Sequence, residues 1–189
     1  MTRAYPDRFY PVVDSLVLLV DLARTGVGTI QLRVKGLPEG QATALVREAV
    51  EAVAGLPVRL VVNDYWRAAI AGEAKHLHLG QKDIATADVA AIRAAGLTLG
   101  LSTHDEAELN TALAHRPDYI ALGPIYPTTV KTMRFPPQGL ERIRVWKQRI
   151  GAIPLVAIGG ITLERAPDVY AAGADSIAVV TDVAGAADP

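Results

Sequence analysis

Short apolar runs recur along the chain at near-regular intervals: Phe9–Val13, Gly28–Arg33, Arg59–Val62, His76–Leu79, Thr98–Ser102, Tyr119–Leu122, Leu155–Ile158 and Ser176–Val180. Each is short and rich in Val, Ile or Leu, the pattern of strands buried on both faces in a parallel sheet. Between them lie stretches with helical spacing: Leu16–Arg24, Gly40–Ala54, Tyr65–Ala71, Thr86–Ala95, Glu106–Ala114, Gly139–Arg149 and Leu163–Ala171. Candidate caps Asp14, Ser15, Asp64, Thr86, Thr103 and Thr162 stand at their starts, and Gly26, Gly55, Gly96 and Gly173 at several ends.

Eight strands alternating with helices predict an α/β protein, a closed (β/α)8 TIM barrel. With 189 residues it is a compact version of a fold that typically takes about 250. One domain spanning residues 1–189 is expected. An open doubly wound sheet is the competing architecture, and the polar residues choose between the two. They stand after nearly every strand rather than at one switch point: Gln31, Arg33 and Lys35; Asn63 and Asp64; Gly80 and Asp83; Ser102; Gly123; Gly159 and Gly160; Thr181. Convergence from all strands implies a ring. The residues after Val180 are too few for a full eighth helix. The groove outside the first and last strands is therefore expected to be uncovered, which favours self-association as a homodimer, unless the chain continues beyond residue 189.

Charge narrows the function. Nineteen Lys and Arg against 20 Asp and Glu give a net charge of −1, which offers no field for nucleic acid or an anionic membrane. Leu16–Val20 is too short to span a bilayer, and Met1–Arg8 lacks the apolar core of a secretion signal. Cysteine is absent, which removes disulfide and thiolate chemistry. A cytoplasmic protein acting on small molecules is the expectation.

The candidate chemistry starts at Gln31-Leu32-Arg33-Val34-Lys35. On a strand, Ile30, Leu32 and Val34 point one way and Gln31, Arg33 and Lys35 the other. Alone, such a polar face is simply solvated. In a barrel whose apolar face meets the helices, the polar set turns into the mouth, where two cations require an anion. A planar Arg fork and a Lys point charge suit phosphate or diphosphate. Asp64 reads alone as a helix cap and Asp83 as a solvated loop acid. Together they end neighbouring strands, and two such carboxylates suit Mg2+ shared with substrate phosphates. His76 and His78 sit two apart on one strand and read as packed, hydrogen-bonded histidines. Ser102 can donate to a phosphate oxygen, and His104 shapes the pocket. The long segment from Gly123 through Lys131 to Gly139 reads as a lid, with Thr128 and Lys131 placed to close over an anion. Gly159-Gly160 and Val180-Thr181 follow the seventh and eighth strands, where barrels of this kind bind phosphate. Two anion sites in one mouth result: a diphosphate site with Mg2+, and a monophosphate site.

In six stretches the chain resembles the thiamine-phosphate synthase family. They are Gln31-Leu32-Arg33-Val34-Lys35, Val62-Asn63-Asp64-Tyr65-Trp66, His78-Leu79-Gly80-Gln81-Lys82-Asp83, Leu101-Ser102-Thr103-His104, Gly123-Pro124-Ile125-Tyr126-Pro127-Thr128 and Val156-Ala157-Ile158-Gly159-Gly160-Ile161. Their order and spacing run the length of the chain. The resemblance implies a transferase of thiamine biosynthesis that joins a pyrimidine diphosphate to thiazole phosphate. It places the diphosphate substrate on Gln31, Leu32, Arg33, Val34, Lys35, Asn63, Ser102 and Lys131, with Arg33, Lys35, Ser102 and Lys131 catalytic. It places Mg2+ on Asp64 and Asp83, and the thiazole phosphate on Thr128, Thr129, Val130, Gly160, Val180 and Thr181. The rivals are a related thiazole tautomerase, which has no use for two acids and three cations at a diphosphate position, and a catalytically silent barrel with a binding role.

The chain departs from the family pattern twice. Val130 stands where Pro-Thr-x-Thr-Lys carries a second hydroxyl, and Thr181-Asp182-Val183 replaces Ser-Ala-Ile, bringing an acid near a phosphate. A lost hydrogen bond to a charged group is worth roughly 1.5–3 kcal/mol. Weaker binding of thiazole phosphate is thus expected, read from its Michaelis constant in steady-state kinetics. An ordinary constant would show that neither departure matters.

Overall fold

The computed structural model describes residues 5–128 and 135–180. Eight parallel strands close into a barrel in chain order: β1 Phe9–Val13, β2 Thr29–Leu32, β3 Arg59–Asn63, β4 His76–Leu79, β5 Thr98–Thr103, β6 Tyr119–Leu122, β7 Leu155–Ile158 and β8 Ser176–Val179. β8 returns to β1 through Phe9 opposite Ile177 and Tyr10 opposite Ala178, so no sheet edge is left open. The helices are α1 Leu16–Arg24, α2 Glu39–Ala52, α3 Trp66–Ala71, α4 Gln81–Ile84, α5 Val89–Ala94, α6 Glu106–Ala114, α7 Gly139–Ile150 and α8 Ala166–Ala171.

Alternation along each strand sorts the side chains. In β4, Leu77 and Leu79 are fully buried against the helices, whereas His76 and His78, which alternate with them, take the other face, and His78 reaches the cavity. In β2, Ile30 and Leu32 join the helix-side core with Trp146, Leu155 and Ile177. The inner face forms a small cluster of its own: Tyr10, Val12, Val61, Tyr119, Ala121, Val156 and Ala178.

Four expectations about the helices change. α4 is absent from the predicted helices: Gln81–Ile84 is a single turn with Gly80 at its N-cap, too short to leave a periodic signal. α5 starts at Val89, not Thr86, because Asp88 accepts the Ala91 N–H at 2.9 Å. Thr103 is no cap. It is a fully buried strand residue whose hydroxyl donates to the Ala121 carbonyl at 3.0 Å and accepts the Trp146 indole N–H at 3.1 Å. The cap of α6 is Asp105, which accepts from Glu108 N at 2.8 Å. α8 is shorter than Leu163–Ala171 and begins at Ala166. The residues after Val180, expected to be too few for a full closing helix, lie outside the described residues.

Gly100 in β5 sets the shape of the interior. A Cβ there would overlap the ring and hydroxyl of Tyr119 on β6, so only glycine lets that ring lie across the barrel. Gly100→Ala is expected to displace Tyr119 and to lower unfolding free energy by about 1–3 kcal/mol, measured by denaturant titration. An unchanged midpoint would show that the ring moves aside freely.

Candidate active site

A cavity opens at the C-terminal ends of the strands. Gln31, Arg33, Lys35, Asn63, Asp64, Asp83, Ser102, Thr128, Gly160 and Val180 all line it. Leu32 and Val34 do not: they pack with the helix-side core, as strand alternation requires. Thr129, Val130, Lys131, Thr181 and Asp182 lie outside the described residues.

The polar strand end divides in two. Gln31 is buried deep in the barrel and donates from Nε2 to the Tyr10 hydroxyl at 2.8 Å. Arg33 and Lys35 sit above it at the mouth. Lys35 pairs with Asp64, and Arg33 has no carboxylate partner among the described residues. The loop carrying Lys35 is held against the end of β3 by Leu37 N, which donates to the Tyr65 hydroxyl at 2.9 Å.

Asp64 is not a cap either. It adopts φ 65°, left-handed backbone that aspartate tolerates better than most residues, and Tyr65 stands at the N-cap of α3. Asp83 lies on α4, which Gln81 ties to β5 by donating to the Ser102 carbonyl at 2.6 Å. Burial raises the Asp83 pKa first, and the charge of Asp64 and a hydrogen bond to it raise it further, opposed by Lys35. Two carboxylates this close repel unless a proton or cation lies between them. The pair therefore fits a divalent cation. Among the described residues no cluster of three or more His, Cys, Asp and Glu exists, so a zinc-type cage does not form, whereas Mg2+ needs only one or two carboxylates with phosphate and water. Beside them the Asn63 Nδ2 is buried without a hydrogen-bond partner among the described residues. A buried unmet donor is costly, and this residue lines the same cavity as the cations and the acids.

Gly159 and Gly160 have φ of 98° and 64°. A Cβ on Gly159 would come within 2.6 Å of Pro124, and one on Gly160 would strike the Pro127 carbonyl. The glycines let the loop after β6 lie against the loop after β7, fastened by Ile125 N to Ile158 O and Tyr126 N to Gly159 O, both 2.9 Å. They form one wall of the cavity opposite Arg33 and Lys35. His104 lines it too, bonded to Glu108 at 2.6 Å and stacked on Phe135 at 4.8 Å.

The model of the thiamine monophosphate synthase family matches residues 9–183. The chain belongs to this family. It is 54% identical over 183 residues to the thiamine-phosphate synthase of Rhizobium etli, covering 97% of this chain and 90% of the relative. It is 50% identical over 179 residues to that of Escherichia coli UTI89, covering 95% and 85%. Among solved structures, thiamine phosphate pyrophosphorylase from Pyrococcus furiosus matches 96% of this chain and 89% of its own, with a TM-score of 0.80 and 26% identity. A 3-hexulose-6-phosphate synthase, at 15% identity and a TM-score of 0.69, shares the barrel fold.

His78 is the packed, hydrogen-bonded histidine that its strand position predicts, and its partners include a tyrosine with no motif signal. His78 is held on both sides, by the Tyr119 hydroxyl at Nδ1 and by Ser102 Oγ at Nε2, each at 2.8 Å. Tyr10 bonds Tyr119 at 2.8 Å. The alternation of Tyr10 with Val12 is a signal by which Tyr10 could be placed inside, though it says nothing of the hydroxyl. Gln81 gave no signal beyond its position after a strand. Among the described residues no helix is long and apolar enough to cross a membrane.

Burial lowers the pKa of both inward histidines to about 4, with Arg59 adding to the effect at His76 and Lys35 at His78. Their unfolded value is 6.5. Between these values the unfolded chain binds protons that the folded barrel refuses, so stability falls with pH across that window. The urea midpoint is expected to be lower at pH 5 than at pH 7, and His78→Gln is expected to flatten the slope. A midpoint independent of pH down to 5 would mean that both rings charge freely inside the fold.

Proposed function

We propose that the cavity joins 4-amino-2-methyl-5-(diphosphomethyl)pyrimidine to thiazole phosphate, giving thiamine phosphate and diphosphate. The observation that carries this reading is the mixed-charge mouth: Arg33 and Lys35 share one cavity with Asp64, Asp83 and the unmet Asn63 donor. One anion alone would not need the acids. A diphosphate and its Mg2+ need both signs.

The pyrimidine ring enters the interior, where Val12, Ala121, Val156 and Ala178 leave a narrow apolar slot below the cations. Its diphosphate rests on Arg33, Lys35, Asn63 and Ser102, with Lys131 from the lid. Asp64 and Asp83 are the residues that would hold Mg2+, and when bound it neutralises charge on the diphosphate. Thiazole phosphate takes the opposite wall, at Thr128, Gly160 and Val180, with Thr129, Val130 and Thr181 of the adjoining segments.

The C–O bond to diphosphate breaks with the electron pair leaving on oxygen. The pyrimidine stabilises the methylene cation, and the thiazole nitrogen supplies the pair for the new C–N bond. Arg33 and Lys35 are already in place where the leaving charge develops, so no reorganisation is needed at the moment of reaction. No protein nucleophile enters this scheme. Both ring nitrogens of His78 are held in hydrogen bonds, which keeps its lone pair from competing with the thiazole for the cation.

Protein, Mg2+ and both substrates are expected to yield thiamine phosphate and diphosphate in equal amounts. No product from well-folded protein would overturn the reading. Asp64→Ala is expected to lower kcat by about 10²-fold or more and to leave the Michaelis constant for thiazole phosphate near its starting value. Turnover at the original rate would remove Asp64 from the metal's ligands.

A further inference from the structure

The interior of the barrel carries a continuous hydrogen-bond chain whose middle has no part in the reaction as described. It runs from Gln31 Nε2 to Tyr10 OH, on to Tyr119 OH, to His78 Nδ1, and from His78 Nε2 to Ser102 Oγ, with every step 2.8 Å. The five residues come from β2, β1, β6, β4 and β5. Four are buried, and Ser102 closes the chain at the cavity.

A hydroxyl has one proton to give, and a neutral imidazole has one N–H. The Gln31 NH2 group only donates, so the Tyr10 oxygen accepts from it. The proton of Tyr10 then has one partner left among the described residues, the oxygen of Tyr119. The proton of Tyr119 goes in turn to His78 Nδ1. His78 therefore carries its own proton on Nε2 and donates it to Ser102 Oγ. The Ser102 proton is left for the cavity. At the other end, the Gln31 amide oxygen has no partner among the described residues, and Gln31 is part of the cavity wall.

Turning the Gln31 amide over would reverse every bond at once. Tyr10 would donate to Gln31, Tyr119 to Tyr10, and His78 from Nδ1 to Tyr119. Ser102 would then use its proton on His78 Nε2 and show the cavity only lone pairs. The two ends are thus locked in opposition: a donor at Ser102 goes with an acceptor at Gln31. The cations at the mouth decide which polarity is useful, because an anion beside Arg33 and Lys35 needs Ser102 to donate.

We propose that Tyr10, Tyr119 and His78 are positioning residues that fix a donor at Ser102 and an acceptor at Gln31, so that the cavity selects a ligand with an anion at one end and an N–H donor at the other. The proposal rests on the pyrimidine diphosphate reading of the site. An amino group on the ring satisfies the Gln31 end. An oxo group in its place sets two acceptors face to face, or reverses the chain and withdraws the Ser102 donor from the diphosphate.

Two measurements test this. In wild-type protein, nitrogen-15 NMR of His78 is expected to show the proton on Nε2 and a bare Nδ1. Tyr119→Phe removes the donor to Nδ1 and is expected to populate the Nδ1–H form. The preference for the 4-amino over the 4-oxo pyrimidine diphosphate, as a ratio of kcat/KM or of calorimetric binding constants, is expected to fall about tenfold or more in that variant. A wild-type proton on Nδ1 overturns the proposal. So does a preference that Tyr119→Phe leaves intact, whatever the tautomer does, because the chain would then not reach the ligand. The NMR and binding measurements need no turnover. Absence of thiamine phosphate would therefore defeat the functional reading without deciding this one. Should Tyr119→Phe fail to fold, Tyr10→Phe interrupts the same chain one link earlier and is read in the same way.

Discussion

Closure of eight parallel strands into a ring is the constraint from which the rest follows. Each strand has a helix side and an inner side, and the period of two allows no compromise between them. Once Ile30 and Leu32 are committed to the helices, Gln31 and Arg33 face the interior or its mouth. The same holds in β4, where two leucines outside force two histidines onto the other face. A polar group placed inside a closed barrel cannot turn to water, so it bonds to another strand or to a ligand. The interior chain from Gln31 to Ser102 and the unmet Asn63 amide are the two outcomes of that rule.

The architecture was legible in the sequence because it rests on composition and period. The apolar runs at Arg59–Val62, Tyr119–Leu122 and Leu155–Ile158 became strands within a residue of their expected ends. The ring of polar residues after the strands separated barrel from open sheet. Where the reading failed, one local rule competed with another. Thr103 has the chemistry of a cap, yet Asp105 two residues later caps better, and the strand needed one more residue to reach Trp146. Asp64 also looked like a cap, but its left-handed backbone turns the carboxylate toward Lys35 instead. α4 is one turn held by Gln81 and Gly80, contacts that no window of hydrophobicity registers.

The site was legible as a set of charges and illegible as a set of bonds. Arg33, Lys35, Asp64 and Asp83 could be gathered because each follows a strand. Gln31 could not be separated from them by sequence: it shares their face, but one rung lower, and one rung in a barrel is the difference between the mouth and the core. Tyr10 and Tyr119 were hidden for the opposite reason. Both are large apolar bodies inside strands, and their sequence context is that of core. Only the register, which brings hydroxyls from β1 and β6 together across the barrel, shows that their polar tips matter.

Gly100 joins the two levels. In a strand interior, glycine weakens the sheet and leaves nothing to pack. Here the missing side chain is the space that the Tyr119 ring occupies. That ring reaches the centre of the barrel and meets both Tyr10 and His78 at 2.8 Å. A bulkier residue on β5 would push the Tyr119 ring out of that volume. It would leave His78 without its partner at Nδ1 and Tyr10 without its acceptor, two buried groups each lacking a bond. The interior is therefore built around polar continuity rather than around packing alone. The small residues on its other strands, Ala121 and Ala178, have the matching role of keeping the upper half open. A barrel this compact has room for a filled core below or a ligand above. The hydroxyl–imidazole chain is the boundary between them.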